Sequence, residues 1–262
     1  MAAPELPEFV PPMLAKSGAP FDSDEHLFEI KWDGTRSLCL VAAAGLRLAS
    51  RYHPGQTERY PELGFLAGLE PGLALDGEIV MLADGVPDFS LMLKREQARG
   101  PRRAAELARA HPAVFVAFDL LYRRGESRMD RTLAERRAEL AEGLADRDEP
   151  QLVLSDGVEG AGRELFAQVT ARGIEGVVAK RLASRYHPGQ RTGDWIKIKP
   201  RQRLQCAIVG YVAEGSDLRS LAIAAPDDEG LLRSVGKVGS GLSARTSRDL
   251  LPRLAARPRA TP

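Results

Sequence analysis

The chain has 262 residues, 44% of them hydrophobic, a formal net charge of +1 and two cysteines, Cys39 and Cys206. That leaves room for one large or two smaller globular domains, shows no global basic field for nucleic acid, and argues against a disulfide framework or zinc site, so a reducing cytoplasm is the expected compartment. No stretch reaches the roughly 18 apolar residues of a membrane span, and MAAPELPEFVPP has Pro and Glu where a signal peptide needs an apolar run.

In chain order, LFEIKWDG reads as a strand running into an Asp33-Gly34 turn. Alternation places Phe28, Ile30 and Trp32 on one face and Glu29 and Lys31 on the other. RSLCLVA and GLRLASR suggest a hairpin around Ala43–Gly45, and ALDGEIVML another strand with a break at Asp-Gly. Phe89–Ala110 has helical texture, interrupted by a basic loop, RGPRR, at Arg99–Arg103. AVFVAFDLLY is a strand rich in Val and Phe. Thr132–Leu144 and Arg163–Arg172 have apolar residues at helical spacing, the second closed by Gly173 as a C-cap. IEGVVAK and DWIKIKP return to strand. After Pro200 the texture shifts to short strands with Gly/Asp turns, a polar helix over about Ala244–Leu254 and an Arg/Pro/Ala tail. A domain boundary is expected near Pro200–Arg203.

Arginine supplies most of the positive charge, and lysine occurs only at Lys16, Lys31, Lys94, Lys180, Lys197, Lys199 and Lys237. Lysine can shed its proton and act as a nucleophile, or serve as a compact charge on phosphate, so each one invites inspection. Lys31 stands in K-x-D-G-x-R (Lys31, Asp33, Gly34, Arg36), followed in order by LDGEIV at Leu75–Val80, VAFDLLY at Val116–Tyr122, EGVVAK at Glu175–Lys180 and WIKIKP at Trp195–Pro200.

This succession resembles the covalent nucleotidyltransferases, and specifically the ATP-dependent DNA ligases; it is most similar to the ligase domain of bacterial ligase D and its stand-alone relatives, from about Met13 to about Leu254. PDFSLMLKR, RTLAERRAEL, SRYHPGQRTGDWIKIK and VGKVGSGLS all look like that subgroup. The resemblance implies an α+β fold: a nucleotidyltransferase (adenylation) domain over 1–200, of antiparallel sheets flanked by helices, and an OB-fold β-barrel domain over 201–262. The second is expected to be partial, lacking the family's last strands and terminal basic motif, which leaves open whether it supports self-adenylation.

The resemblance also assigns roles. Lys31 would attack the α-phosphate of ATP to give lysyl-AMP. A lysine with a pKa of about 10.4 must first lose its proton, which nearby positive charge or desolvation favours. Lys197 and Lys199 share one face by alternation and would supply such charge and hold the triphosphate. Arg36 and Arg51 would contact ribose or phosphate, Glu78 the ribose, and Glu175 would do metal work. Two lone glutamates suit Mg²⁺, which keeps waters and substrate phosphates as ligands. Phe118 matches the family's adenine-stacking aromatic but fits a core position equally well. Glu29, on the face of Lys31, would approach the base. Lys180 lies five residues after Glu175, on the opposite face of an unbroken strand; a bulge at Gly176 would restore agreement.

The block LASRYHPGQ occurs twice, at Leu48–Gln56 and Leu182–Gln190, with unrelated flanks, so it marks no repeat architecture. The second copy sits where the family carries S-x-Y-x-P-G. In the first, Tyr52 and His53 replace an expected Asn-Gly and leave Pro54-Gly55 as the turn, which bears on where Arg51 points. His53 and His187 read as turn residues. Arg99, Arg102 and Arg103 would touch the DNA backbone. The expected activity is ATP-dependent sealing of nicked double-stranded DNA, with Mg²⁺; association with end-joining proteins is implied by the resemblance alone. A non-catalytic nucleotide- or nucleic-acid-binding remnant and an RNA ligase or capping-type nucleotidyltransferase are the alternatives.

Overall fold

The computed structural model describes residues 5–51, 55–201 and 204–257. Tyr52, His53 and Pro54 of the first nonapeptide, part of the expected boundary (202 and 203) and Arg259 of the tail lie outside the described residues. The chain forms two compact units, Met1–Pro200 and Arg201–Pro262.

The first unit opens with β1 (Leu14–Ser17), β2 (Ser23–Ile30), β3 (Thr35–Ala42), β4 (Gly45–Ser50), β5 (Leu73–Ala83), β6 (Val86–Pro87), α1 (Phe89–Glu96) and α2 (Pro101–Ala110). It continues with β7 (Ala113–Arg123), β8 (Glu126–Ser127), α3 (Leu133–Leu144), β9 (Leu152–Leu154), β10 (Gly157–Gly160), α4 (Gly162–Ala171), β11 (Val177–Arg181) and β12 (Arg191–Ile198). These make two sheets. One runs β4-β3-β5-β7-β8, with β6 on β5 and β9 on β7; the other runs β1-β12-β11-β2-β10. The α+β expectation holds, with a refinement: pairing is antiparallel except β1 with β12 and β7 with β9, which are parallel.

The long strand β7 is apolar on both faces because both are covered. Phe115, Ala117 and Leu120 join a core with Leu63, Leu66, Met92 and Leu140 from the helical layer, while Phe118 and Leu121 face the other way. There they meet Leu38 and Leu40 of the same sheet and Trp195 of the second sheet. The far face of the second sheet, with Phe28, Val177 and Ile198, is closed by Val169 of α4. The helix ends follow their local chemistry. Thr132 and Glu135 form a capping box at the start of α3, and Gly173, at φ 74°, ends α4.

Two expectations are corrected. β5 continues as one strand through Asp76-Gly77, and the break expected there is a shift of its register with β7; the glycine is needed inside the strand, since a Cβ there would lie 2.6 Å from the Val116 carbonyl oxygen and from the Phe115 ring. The region Phe89–Ala110 is two helices joined by a turn with Gly100 at φ 79°, so Arg102 and Arg103 stand in the first turn of α2 rather than in a loop.

The second unit is a three-stranded antiparallel sheet of β13 (Ala207–Glu214), β14 (Asp217–Pro226) and β15 (Leu232–Val238), with α5 (Ala244–Ala255) against β14. Ser243 caps α5, and the buried Ser247 hydroxyl accepts from the Leu218 N–H at 3.0 Å. Val212, Leu232 and Val235 are exposed.

Candidate functional site

A cavity of about 260 Å³ lies in the first unit. The five-stranded sheet contributes Glu29, Val178, Lys180, Trp195 and Lys197, and the seven-stranded sheet contributes Arg36, Glu78 and Phe118, with Arg51 just past the end of β4. Lys31 and Trp32, in the turn after β2, complete that wall. Strand alternation puts Glu29 on the cavity side of β2 while Phe28 packs into the core behind it, and Lys31, one residue past the strand, lines the cavity with Glu29. Trp32, expected on the face of Phe28, lies beyond the strand and packs instead on Val80, Val114 and Val116 of the other sheet.

The turn that carries Lys31 is fixed by its surroundings. The Lys31 N–H donates to the Gly176 carbonyl at 2.8 Å, and a Cβ on Gly34 would sit 2.1 Å from the Ile79 carbonyl oxygen. The Lys31 ammonium is paired with Glu175, and so is the Lys199 ammonium. Burial works against the charge on Glu175, but the hydrogen bonds from Lys199 and Lys31 hold its carboxyl below the usual range. Burial raises the neighbouring Asp33, and Glu175 adds to that. Lys197 is lowered by burial and by Arg191, Lys199 and Lys31.

Arg36 is held from several sides. Its Nε and Nη2 each donate to the Asp76 carboxylate at 2.6 Å, and its guanidinium carbon lies 4.8 Å from the Phe118 ring centre and 5.3 Å from that of Trp195. Beside it in the ladder, Glu78 is half-buried; burial pushes its carboxyl up to about 8 against the pull of Arg36 and Lys31. Phe118 belongs to the core cluster and also lines the cavity. Arg51 lines the cavity while remaining exposed.

Lys180 is drawn into the same place. It is buried, paired with Glu29, and its Nζ lies 4.1 Å from the Phe118 ring centre and 4.6 Å from that of Trp195. The parity count from Glu175 misplaces it because Glu175 precedes β11 and Gly176 stands at φ 141°, where a side chain would meet the Ile198 carbonyl oxygen at 2.1 Å. Counted within β11, Val178 and Lys180 share the cavity face. Asp76, Arg137, Tyr186 and Trp195 also support the site without having been singled out. Arg137 pairs with Glu29 at 3.3 Å, and the only sequence signal for it was its place in RTLAERR.

The three arginines assigned to DNA are not brought to this cavity. Arg102 and Arg103 pair with Glu106 on the surface, with side chains 94% and 59% exposed, and Arg99 borders a separate cleft beside Gln56–Arg59. Among the described residues no group of three or more His, Cys, Asp or Glu could hold a metal by itself. Glu78 and Glu175 nevertheless fit a cation that arrives with phosphates. One is a carboxyl that burial leaves poorly compensated, and the other can exchange an ammonium for a metal.

The chain matches the ATP dependent DNA ligase domain family over residues 12–199. It is 38% identical over 259 residues to the multifunctional non-homologous end joining protein LigD of Pseudomonas aeruginosa, covering 95% of this chain and 29% of that protein. DNA ligase C2 of Mycolicibacterium smegmatis is 36% identical over 248 residues, 92% of this chain and 68% of that one. Among solved structures, a mycobacterial DNA ligase D complexed with ATP and MES aligns with a TM-score of 0.63 at 34% identity, covering 97% of this chain and 80% of the other. The chain thus spans 29% of the length of the Pseudomonas relative.

Proposed function

The chain belongs to the ATP-dependent DNA ligase family, and we propose that it seals nicks in double-stranded DNA through a lysyl-AMP intermediate. The observation that carries this reading is Lys31 on the wall of a cavity that also holds Lys197, Arg36 and Arg51. One amine lies among groups suited to phosphate, against the Glu175 carboxylate.

In the first step the Lys31 Nζ, relieved of a proton, bonds to the α-phosphorus of ATP and pyrophosphate leaves. Glu175 touches that nitrogen and is the nearest acceptor for the proton. The AMP then passes from Lys31 to a DNA 5′-phosphate, regenerating the amine. In the last step a DNA 3′-hydroxyl attacks that phosphate, AMP departs, and the backbone is closed. Lys197 and Lys199 hold the triphosphate, Arg36 and Arg51 the ribose and phosphate, and Phe118 stacks on adenine with Glu29 toward its edge. Glu78 contacts ribose and, with Glu175, would hold Mg²⁺. When bound, the ion would offset negative charge on the phosphates. Positioning and charge neutralisation do most of the work in phosphoryl transfer, which suits a site built of Lys, Arg and two carboxylates.

Arg99, Arg102 and Arg103 offer exposed positive charge for the DNA backbone, and such contacts are salt-sensitive and sequence-independent. The second unit is read as part of an OB-type barrel, supported by its three antiparallel strands with a following helix. The end-joining role named for the Pseudomonas relative makes repair of DNA breaks the process we propose, with end-joining proteins as partners. Incubation with α-labelled ATP and Mg²⁺ tests the covalent step: label is expected on the protein and absent from Lys31→Ala. A folded, unlabelled parent chain would sink self-adenylation and leave the binding remnant, and a pre-adenylated nick then tests the last step alone.

A further inference from the structure

We propose that Tyr186 is a positioning residue for Arg36, its hydroxyl locking the Asp76 carboxylate that aims the guanidinium into the cavity. The inference rests on the reading that this cavity takes ATP. Tyr186 belongs to the second copy of the nonapeptide, outside the motifs that carry the chemistry, and does not itself line the cavity. Its ring is buried and packs edge-on against Trp195, with ring centres 5.8 Å apart and planes at 83°.

The hydroxyl works in both directions. It donates to Asp76 Oδ2 at 2.6 Å and accepts from the Met13 N–H at 2.9 Å. Asp76, fully buried, takes the Nε and Nη2 of Arg36. Arg36 Nη2 also reaches the Met13 carbonyl at 3.3 Å, closing a ring of four residues. Arg36 comes from β3, Asp76 from β5, Tyr186 from the segment between β11 and β12, and Met13 from the residue before β1.

A guanidinium with two donors fixed in one plane has little freedom, and what it points at is decided by its carboxylate partner. Arg36 occupies both oxygens of that carboxylate, and the Tyr186 hydroxyl is the further donor on Oδ2 that ties the pair to a third segment. Phenylalanine at 186 would fill the same volume but orphan the Met13 N–H and leave Arg36 as the side-chain donor to both oxygens of Asp76, so the carboxylate and guanidinium would be free to swing together as one pair. The hydroxyl is therefore required for aim rather than for packing.

Tyr186→Phe tests this, read by equilibrium binding of ATP without metal and by lysyl-AMP formation with Mg²⁺. ATP binding is expected to weaken about tenfold, the size of one charge-assisted hydrogen bond, with little change in the rate at saturating ATP. In an Arg36→Ala background the same substitution is expected to have no further effect on ATP binding, because the two act as a unit. Unchanged ATP binding, or an equal loss with and without Arg36, overturns the proposal, since a purely structural hydroxyl lowers the melting temperature without coupling to Arg36. If Tyr186→Phe does not fold, Asp76→Asn must weaken ATP binding in the same direction, and unchanged binding there also overturns it. A chain that binds ATP but takes no label defeats the sealing reading and leaves this measurement intact. A chain that binds no ATP defeats both.

Discussion

At Leu48–Ser50 the shared nonapeptide finishes β4, with Leu48 opposite Cys39 in the ladder and fully buried. At Leu182–Ser184 the same three residues form a turn in which Ala183 is exposed and the Ser184 carbonyl accepts from Leu133 and Arg136. The first copy folds back on its own strand: Gln56 donates to the Leu48 carbonyl at 2.9 Å, and the Leu48 N–H donates to Thr57 Oγ1 at 2.9 Å. The second is fastened to other segments, with Tyr186 on the Met129 carbonyl and Gly189 on the Pro11 carbonyl. Their side chains part company too. Arg51 lines the cavity, whereas Arg185 lies on the surface 4.0 Å from Asp130. Identical residues give a strand in one place and a turn in the other, so here the partners outside the block, not its own propensities, select the backbone.

Paired substitutions can break or sharpen that contrast. Leu48→Ala opens a hole in the core and should cost about 3 kcal/mol in chemical denaturation, while half-buried Leu182→Ala should cost about 1 kcal/mol; equal losses would contradict the burial difference. Gln56 is buried with its Nε2 on the Ser37 hydroxyl at 2.8 Å, so Gln56→Ala should cost about 2 kcal/mol, against under about 0.5 kcal/mol for exposed Gln190→Ala. Arg51→Ala should weaken ATP binding about tenfold in titration calorimetry and Arg185→Ala should leave it unchanged, a tenfold loss corresponding to about 1.4 kcal/mol. Gly189 stands at φ 71° with Pro11 Cβ 3.3 Å from where its own Cβ would be, so Gly189→Ala should lower stability by about 1 kcal/mol in thermal melts. At Gly55 nothing lies within 4 Å of the added carbon, and alanine should be neutral or slightly stabilising, by about 0.5 kcal/mol.

Much of the site was legible because it obeys short-range rules. Alternation paired Glu29 with Lys31 and Lys197 with Lys199; Glu29, Lys31 and Lys197 line the cavity, while Lys199, past the end of β12, pairs with Glu175. What was not legible depended on contacts distant in the chain. For Lys180 the sequence leaves two faces open, with Gly176 as the residue that decides, and the φ of 141° at Gly176 goes with the place of Lys180 on the cavity face. The interior glycine of β5 was read as a break, although it is the close approach of β7 that demands it. Helix α3 was legible from its apolar spacing, but the fate of its charges was not: Arg136 is fully buried on Asp119 at 2.7 and 2.8 Å. The short strands β9 and β10, LVL and GVEG, offer too few residues for any period to show. The pairing of Lys31 with Glu175 likewise sets a carboxylate against the amine where only neighbouring cations had been expected.

The parallel pairing of β1 with β12 sets Leu14 opposite Arg191. During synthesis the earliest strand must therefore wait, partnerless, until almost the whole first unit has left the ribosome. Leu14 and Ala15 border the cavity, so its wall is among the last parts to be finished. Such distant closure is slow, and it exposes the unfinished sheet to wrong partners in the interval. A nucleotide that binds only the completed arrangement would then draw the last pairing to completion, making the substrate a helper in the maturation of its own enzyme.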